Sequence, residues 1–77
     1  MRILGIDPGI AIVGFGVIDS ERGKQNYIRC GVITTPAGTS LSSRLDRIYA
    51  DMCEVIRTFK PDVAAIEELF FNTNTTT

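Results

Sequence analysis

The sequence predicts an α/β domain built on a mixed β-sheet with one flanking helix. Three observations carry this. Strand-type runs joined by turn residues fill the first 34 positions. A single amphipathic stretch follows from Leu41 to Phe59. A second short apolar run, Val63-Ala64-Ala65-Ile66, comes directly after it.

Each element has its own signal. Arg2 to Ile6 is a short apolar run of the kind that forms a buried strand, and Pro8-Gly9 breaks it. Ile12 to Ile18 is rich in β-branched and aromatic residues, with Gly14 and Gly16 at alternate positions. An interior strand glycine marks close backbone approach or local twist, so these two are assigned no chemistry. Asp19 to Gln25 is polar and contains Gly23, which reads as a hairpin loop, and Tyr27 to Thr34 is a third strand. Pro36-Ala37-Gly38-Thr39-Ser40 is a loop.

In the helical stretch, Leu41, Leu45, Ile48, Tyr49, Met52, Val55, Ile56 and Phe59 recur at three- and four-residue spacing and are expected to form core. The same face is also suited to a dimer contact. Thr39 or Ser40 can cap the helix start, and Lys60-Pro61 ends it, because proline disfavours helical geometry in the residue before it. The first three strands, joined by short turns, should alternate in direction. The helix is then a right-handed crossover to a fourth strand parallel to the first. Parallel strands need cover on both faces, and one helix supplies only one. The expectation is therefore that residues 1–77 are the N-terminal part of a larger single domain.

Composition narrows the function classes. With 77 residues the chain is one domain at most. A chain of this size buries only roughly 60–65% of its unfolded surface. Eight Lys and Arg against nine Asp and Glu give a net charge of −1, which is no electrostatic footprint for nucleic acid. No stretch approaches the roughly 20 apolar residues of a membrane span, and the N-terminus lacks the pattern of a secretory signal, so a cytoplasmic protein is expected. Cys30 and Cys53 lack metal-binding spacing and there is no histidine to complete a zinc site. Both are expected to be buried thiols rather than a disulfide.

Two carboxylates raise the functional question. Asp7 and Glu67 each follow an apolar strand at its C-terminal end. If strand four lies beside strand one, giving the order 3-2-1-4, these ends are neighbours about 4.8 Å apart. If it lies beside strand three they are roughly 14 Å apart by the same spacing. Carboxylates sharing a Mg²⁺ must each bring an oxygen to about 2.1 Å from it, so only the first arrangement permits a common site. It also places that site at the carboxyl ends of parallel strands, where open α/β sheets bind ligands. The other reading, solvated acidic residues ending strands, stays open at this point.

The residues also carry a family resemblance. Gly5-Ile6-Asp7-Pro8-Gly9, followed by Gly14-Phe15-Gly16-Val17, resembles the opening of the RuvC family of Holliday junction resolvases. Arg44-Leu45 and Ile48-Tyr49 on the helix fit as well. So do Pro61-Asp62, Ala65-Ile66-Glu67, Phe70 and Asn74, in order and at matching spacing. The resemblance covers essentially the whole chain.

It implies an RNase H-like fold with sheet order 3-2-1-4-5, the fifth strand missing from this chain. It implies a homodimer that cuts two strands of four-way junction DNA symmetrically, in homologous recombination and DNA repair, with Mg²⁺ or Mn²⁺. A branch-migration helicase is the implied partner. By position Asp7 and Glu67 match two of the family's four acidic metal ligands, and Phe70 matches an aromatic that contacts DNA. Glu68 falls where the family requires no acid and is not counted as a ligand. The other two acids and most of the basic DNA-binding surface belong to the family's C-terminal portion, so the 77 residues are expected to be inactive alone.

The expected chemistry is phosphodiester hydrolysis between two metal ions about 3.5–4 Å apart. Asp7, on the central strand, is the candidate to bridge both ions and Glu67 to hold one. Hard carboxylate oxygens suit Mg²⁺, and no protein nucleophile is needed. Adjacent aromatics after a strand are usually core, but strand alternation sends Phe70 and Phe71 to opposite faces, leaving one free to stack on a base.

Two other readings compete. An actin-like ATPase or sugar kinase also opens with a Gly-x-Asp-x-Gly strand-turn. Here Pro8 removes one phosphate-binding N–H and Ile10 stands where a hydroxyl is expected. The second is a non-catalytic piece that only packs or dimerises.

Overall fold

The computed structural model describes residues 1–67. Its elements run β1 (Arg2–Asp7), β2 (Ile12–Glu21), β3 (Lys24–Thr34), α1 (Leu41–Phe59) and β4 (Val63–Ile66). They form one four-stranded sheet in the order β3-β2-β1-β4. β1 is antiparallel to β2 and parallel to β4, and β2 is antiparallel to β3. This is the mixed 3-2-1-4 sheet with one helix that the sequence implied.

The β2–β3 hairpin is longer and tighter than its composition suggests. Residues Asp19 to Gln25, expected as a loop, lie almost wholly in the ladder: Asp19 pairs with Asn26, Ser20 with Gln25 and Glu21 with Lys24. Only Arg22 and Gly23 turn, at φ of 51° and 79°. Two successive left-handed residues make the two-residue turn whose twist matches that of the flanking strands. The polar run misled because this end of the hairpin is exposed, and a wet strand needs no apolar alternation. A register shift between Val17 and Ile18 admits one extra residue on β3, as Ile18 pairs with Tyr27 and Val17 with Arg29.

The sheet has one covered and one open face. Leu4 and Val17, directly opposite each other, are fully buried at 0% exposure. Val13 and Ile33, also paired, complete the buried set. α1 lies on this face, where Phe59 meets the Arg29 guanidinium at 6.0 Å from the ring centroid. Phe15 lies on the glycine opposite it: a Cβ on Gly31 would come within 2.9 Å of the ring.

The helix spans the expected residues. Ser40 caps its start, its side chain accepting from the Ser43 N–H at 3.2 Å. Lys60 closes it in the left-handed conformation at φ 50°, and Pro61 follows.

Two expectations about burial are corrected. No residue of α1 is buried; Leu41, Leu45, Tyr49 and Ile56 are exposed at 58, 49, 74 and 46%. Ile48, Met52, Val55 and Phe59 are half-buried. The helix sits along β3, so one flank of its apolar stripe meets the sheet and the other meets nothing among the described residues. Cys30 is exposed rather than buried, because it pairs with Gly16 on the open face; both cysteines are free. Its N–H donates to the Tyr27 hydroxyl at 3.0 Å.

A polar knot closes the end of the sheet opposite Asp7. The Arg2 guanidinium donates to both Asp19 carboxylate oxygens, at 2.8 and 3.0 Å, and to the Phe59 carbonyl at 2.9 Å. The Arg2 N–H donates to Asp62 at 2.6 Å, and the Asp62 N–H to the Arg2 carbonyl at 2.8 Å. One side chain therefore joins β1, β2 and the helix C-terminus, while its backbone fixes the entry of β4.

Candidate metal centre

β1 is the central strand that places Asp7. It is paired on both sides, with Leu4 anchored in the core, so its C-terminal residue emerges at a fixed height. β4 places Glu67 beside it. Ile3 to Ile6 pair in parallel with Val63 to Ile66. The Glu67 N–H continues the ladder by donating to the Ile6 carbonyl at 3.0 Å. Register therefore carries Glu67 to the level of Asp7, on strands separated by about 4.8 Å. Alternation puts both side chains on the open face, with Gly5 and Ala65, away from Leu4. No strand intervenes between the two acids, and they do not lie on opposite faces.

The floor beside them carries little. Asp7 pairs with Gly14 and Gly5 with Gly16, so β2 presents no side chain there. A cavity of ≈ 580 Å³ at this end of the sheet is lined by Asp7, Glu67, Gly5, Gly14, Gly16 and Ala65, and also by Ile6, Phe15, Gly31 and Ile66, whose positions alternate to the other face. A Cβ on Gly14 would stand at 3.6 Å from that of Asp7, an ordinary contact.

The loop after Asp7 is tightly specified. A Cβ on Gly9 would run into the Ile12 carbonyl oxygen, so only glycine fits. Thr35, just past β3, is the buried polar residue of the described structure, at 8% exposure. Its hydroxyl donates to the Ile10 carbonyl at 2.8 Å and its N–H to the Ala11 carbonyl at 3.1 Å. Thr35 was passed over in the sequence because a threonine before proline reads as plain loop. Partners for both its donors are brought within reach only with the hairpin folded back onto residues 10 and 11.

Two hard oxygen donors on neighbouring strand ends fit a Mg²⁺-type cation, which is commonly held by one or two carboxylates plus substrate phosphates. Among the described residues no group of three or more His, Cys, Asp or Glu converges. Phe70, Phe71 and Glu68 lie outside the described residues.

The family model described as crossover junction endodeoxyribonuclease RuvC matches residues 3–77. The chain belongs to the RuvC family. The crossover junction endodeoxyribonuclease RuvC of Rubrobacter xylanophilus is 52% identical over 75 residues, covering 97% of this chain and 42% of the relative. That of Brevibacillus brevis is 51% identical over 77 residues, covering 100% of the chain and 46% of the relative. The chain thus spans about half the length of the curated relatives it matches. Among solved structures, Thermus thermophilus RuvC in complex with a Holliday junction substrate superposes with a TM-score of 0.82 at 34% identity, over 97% of this chain and 49% of that one. A Ppx/GppA family member from Aquifex aeolicus reaches a TM-score of 0.64 at 21% identity, over 86% of this chain and 25% of that one, and shares the fold alone. The RNase H-like class inferred for this RuvC family member holds, and no helix of the described residues is long and apolar enough to cross a membrane.

Proposed function

We propose that residues 1–77 form the N-terminal part of a single RNase H-like nuclease domain, and that the whole protein is a divalent-metal-dependent endonuclease resolving four-way DNA junctions in recombination and repair. The observation that carries this is the parallel pairing of β1 with β4, which brings Asp7 and Glu67 to adjacent strand ends on one face. The RuvC membership supports the substrate, since a Thermus relative is solved on a Holliday junction. The site needs further ligands from the remainder of the protein, so the 77 residues alone should not cut.

Asp7 and Glu67 are the proposed catalytic and metal-holding residues, for Mg²⁺ with Mn²⁺ as substitute, two ions in the finished site. Such ions supply an activated water and charge neutralisation at the leaving oxygen. Asp7 is the better bridging ligand because its strand is paired on both sides. Gly5, Gly14 and Gly16 put no side chain on the sheet beside the acids, which suits close approach of a phosphodiester backbone. Phe70 is assigned a DNA contact, an exposed aromatic stacked on a base contributing about 1–3 kcal/mol. Homodimerisation, a branch-migration helicase partner and cytoplasmic location complete the reading.

The test uses the full-length protein and a synthetic four-way junction. Asp7→Asn should lower Mg²⁺-dependent cutting by more than about 100-fold, beyond the 10–100-fold typical of an outer-shell partner, while junction binding is retained. Cutting at the wild-type rate by this variant would overturn the assignment.

A further inference from the structure

We propose that Thr35 is a positioning residue for Asp7, acting through the loop of residues 8–11; this rests on the reading of Asp7 as a metal ligand. The loop is exposed along its whole length and packs no side chain into the core. Among the described residues, the hydrogen bonds that reach it from another element both come from Thr35. The backbone bond to Ala11 continues the β2–β3 ladder one step beyond the Ile12–Thr34 pair and any residue but proline could make it. The bond to Ile10 cannot be so replaced, because it needs a side-chain donor of this length, and it runs from a buried threonine to an exposed loop residue.

Little freedom separates that bond from the carboxylate. Ile10 is three residues from Asp7. Pro8 fixes its own φ, and the Gly9 backbone lies against the Ile12 carbonyl with no space for a Cβ. Holding the Ile10 carbonyl therefore sets the path by which the chain leaves Asp7. The bond comes from the end of β3, which pairs with β2 and not with β1. In this way the hairpin's far strand governs the orientation of an acid on the central one. The β1–β2 ladder ends at the Asp7–Gly14 pair and does not itself hold residues 8–11.

The experiment compares Thr35→Val, which keeps the shape and loses the donor, with Thr35→Ser, which keeps the donor. Mn²⁺ titration of the full-length protein without DNA reads the site directly. Thr35→Val should weaken Mn²⁺ binding by about 10-fold, the lower end of what losing a hydrogen bond that orients a metal ligand costs, and Thr35→Ser should stay within about twofold of wild type. In metal-free protein the amide resonances of Asp7, Gly9 and Ile10 should move in Thr35→Val and return in Thr35→Ser. If Thr35→Val does not fold, Thr35→Cys, a weak donor of similar size, should show intermediate weakening.

Wild-type Mn²⁺ affinity in Thr35→Val or Thr35→Cys would overturn the proposal, even with a lowered melting temperature. So would Thr35→Ser binding as weakly as Thr35→Val, which would put the effect in the methyl group. A wild-type protein whose Mn²⁺ binding is indifferent to Asp7→Asn would instead refute the metal-ligand reading. The resonance shifts would then decide Thr35's hold on the loop by themselves.

Discussion

Asp19 is a carboxylate whose environment makes a pH-dependent claim. Hydrogen bonding from Arg2 holds its pKa below the ordinary carboxylate range; partial desolvation opposes this, and the charges of Arg2 and the N-terminal amine assist. Arg2 in turn is raised, first by the same hydrogen bond. A depressed acid contributes stability that is complete above its unfolded pKa and lost as pH falls through its folded pKa. Arg2's part would be lost only at alkalinity beyond working conditions. Wild type should therefore lose stability on acidification below the ordinary carboxylate range, and Asp19→Asn should lose less over that interval, having already lost the pair at neutral pH. Urea midpoints between neutrality and pH 3 measure this, and identical slopes would refute it. With both side chains about one-third exposed, at 33 and 32%, solvent keeps the effect modest. At this scale the sequence was legible where one residue acts with its neighbours. Asp7 and Glu67 announced themselves by following apolar runs, but Arg2–Asp19 and Thr35–Ile10 join residues far apart in the chain, and no local pattern encodes such a bond.

The helix was the most legible element, since its signals are all local: a capping serine, a stripe at helical spacing and a proline after the last turn. Ser40 is the testable part. Its side chain satisfies the Ser43 N–H, a donor that has no partner within the helix. Ser40→Ala should destabilise the protein by about 1 kcal/mol and Ser40→Gly by only a few tenths, read from thermal or urea unfolding. Equal losses for the two variants would refute this account of the Ser40 cap. The hairpin was less legible. Its turn depends on backbone conformation at Arg22 and Gly23, and only the glycine hints at it. The burial of the helix face was misread for a different reason: periodicity states which side is apolar and cannot state what covers it. Leu41, Leu45, Tyr49 and Ile56 keep the helical stripe and still face outward.

At the scale of the molecule, the order of the strands is the property from which the site follows. From the residues alone that order followed only from asking which arrangement lets two acids share a cation, the family resemblance implied it as well, and the sheet has that arrangement. The parallel pair that unites them joins the two ends of the described chain: Arg2 and Asp62, bonded to each other, are 60 residues apart in sequence. Every other strand contact can form while β4 is still loose, so the pair closes the longest loop and pays the largest ordering cost. A cation held by both acids would act as a clasp across that last closure. Ligands that bind only the closed form add about 2.7 kcal/mol at 100 times their Kd. Addition of Mg²⁺ to the full-length protein should then slow hydrogen exchange of the Asp62 and Glu67 amides, which bond to Arg2 and Ile6, and leave the Glu21–Lys24 end of the hairpin unchanged. Uniform slowing, or none, would mean that the acids meet without fastening the strands. If the two acids hold the proposed cation, its site and the seam of the fold are one place, and occupancy of the first becomes a measure of how firmly the second is shut.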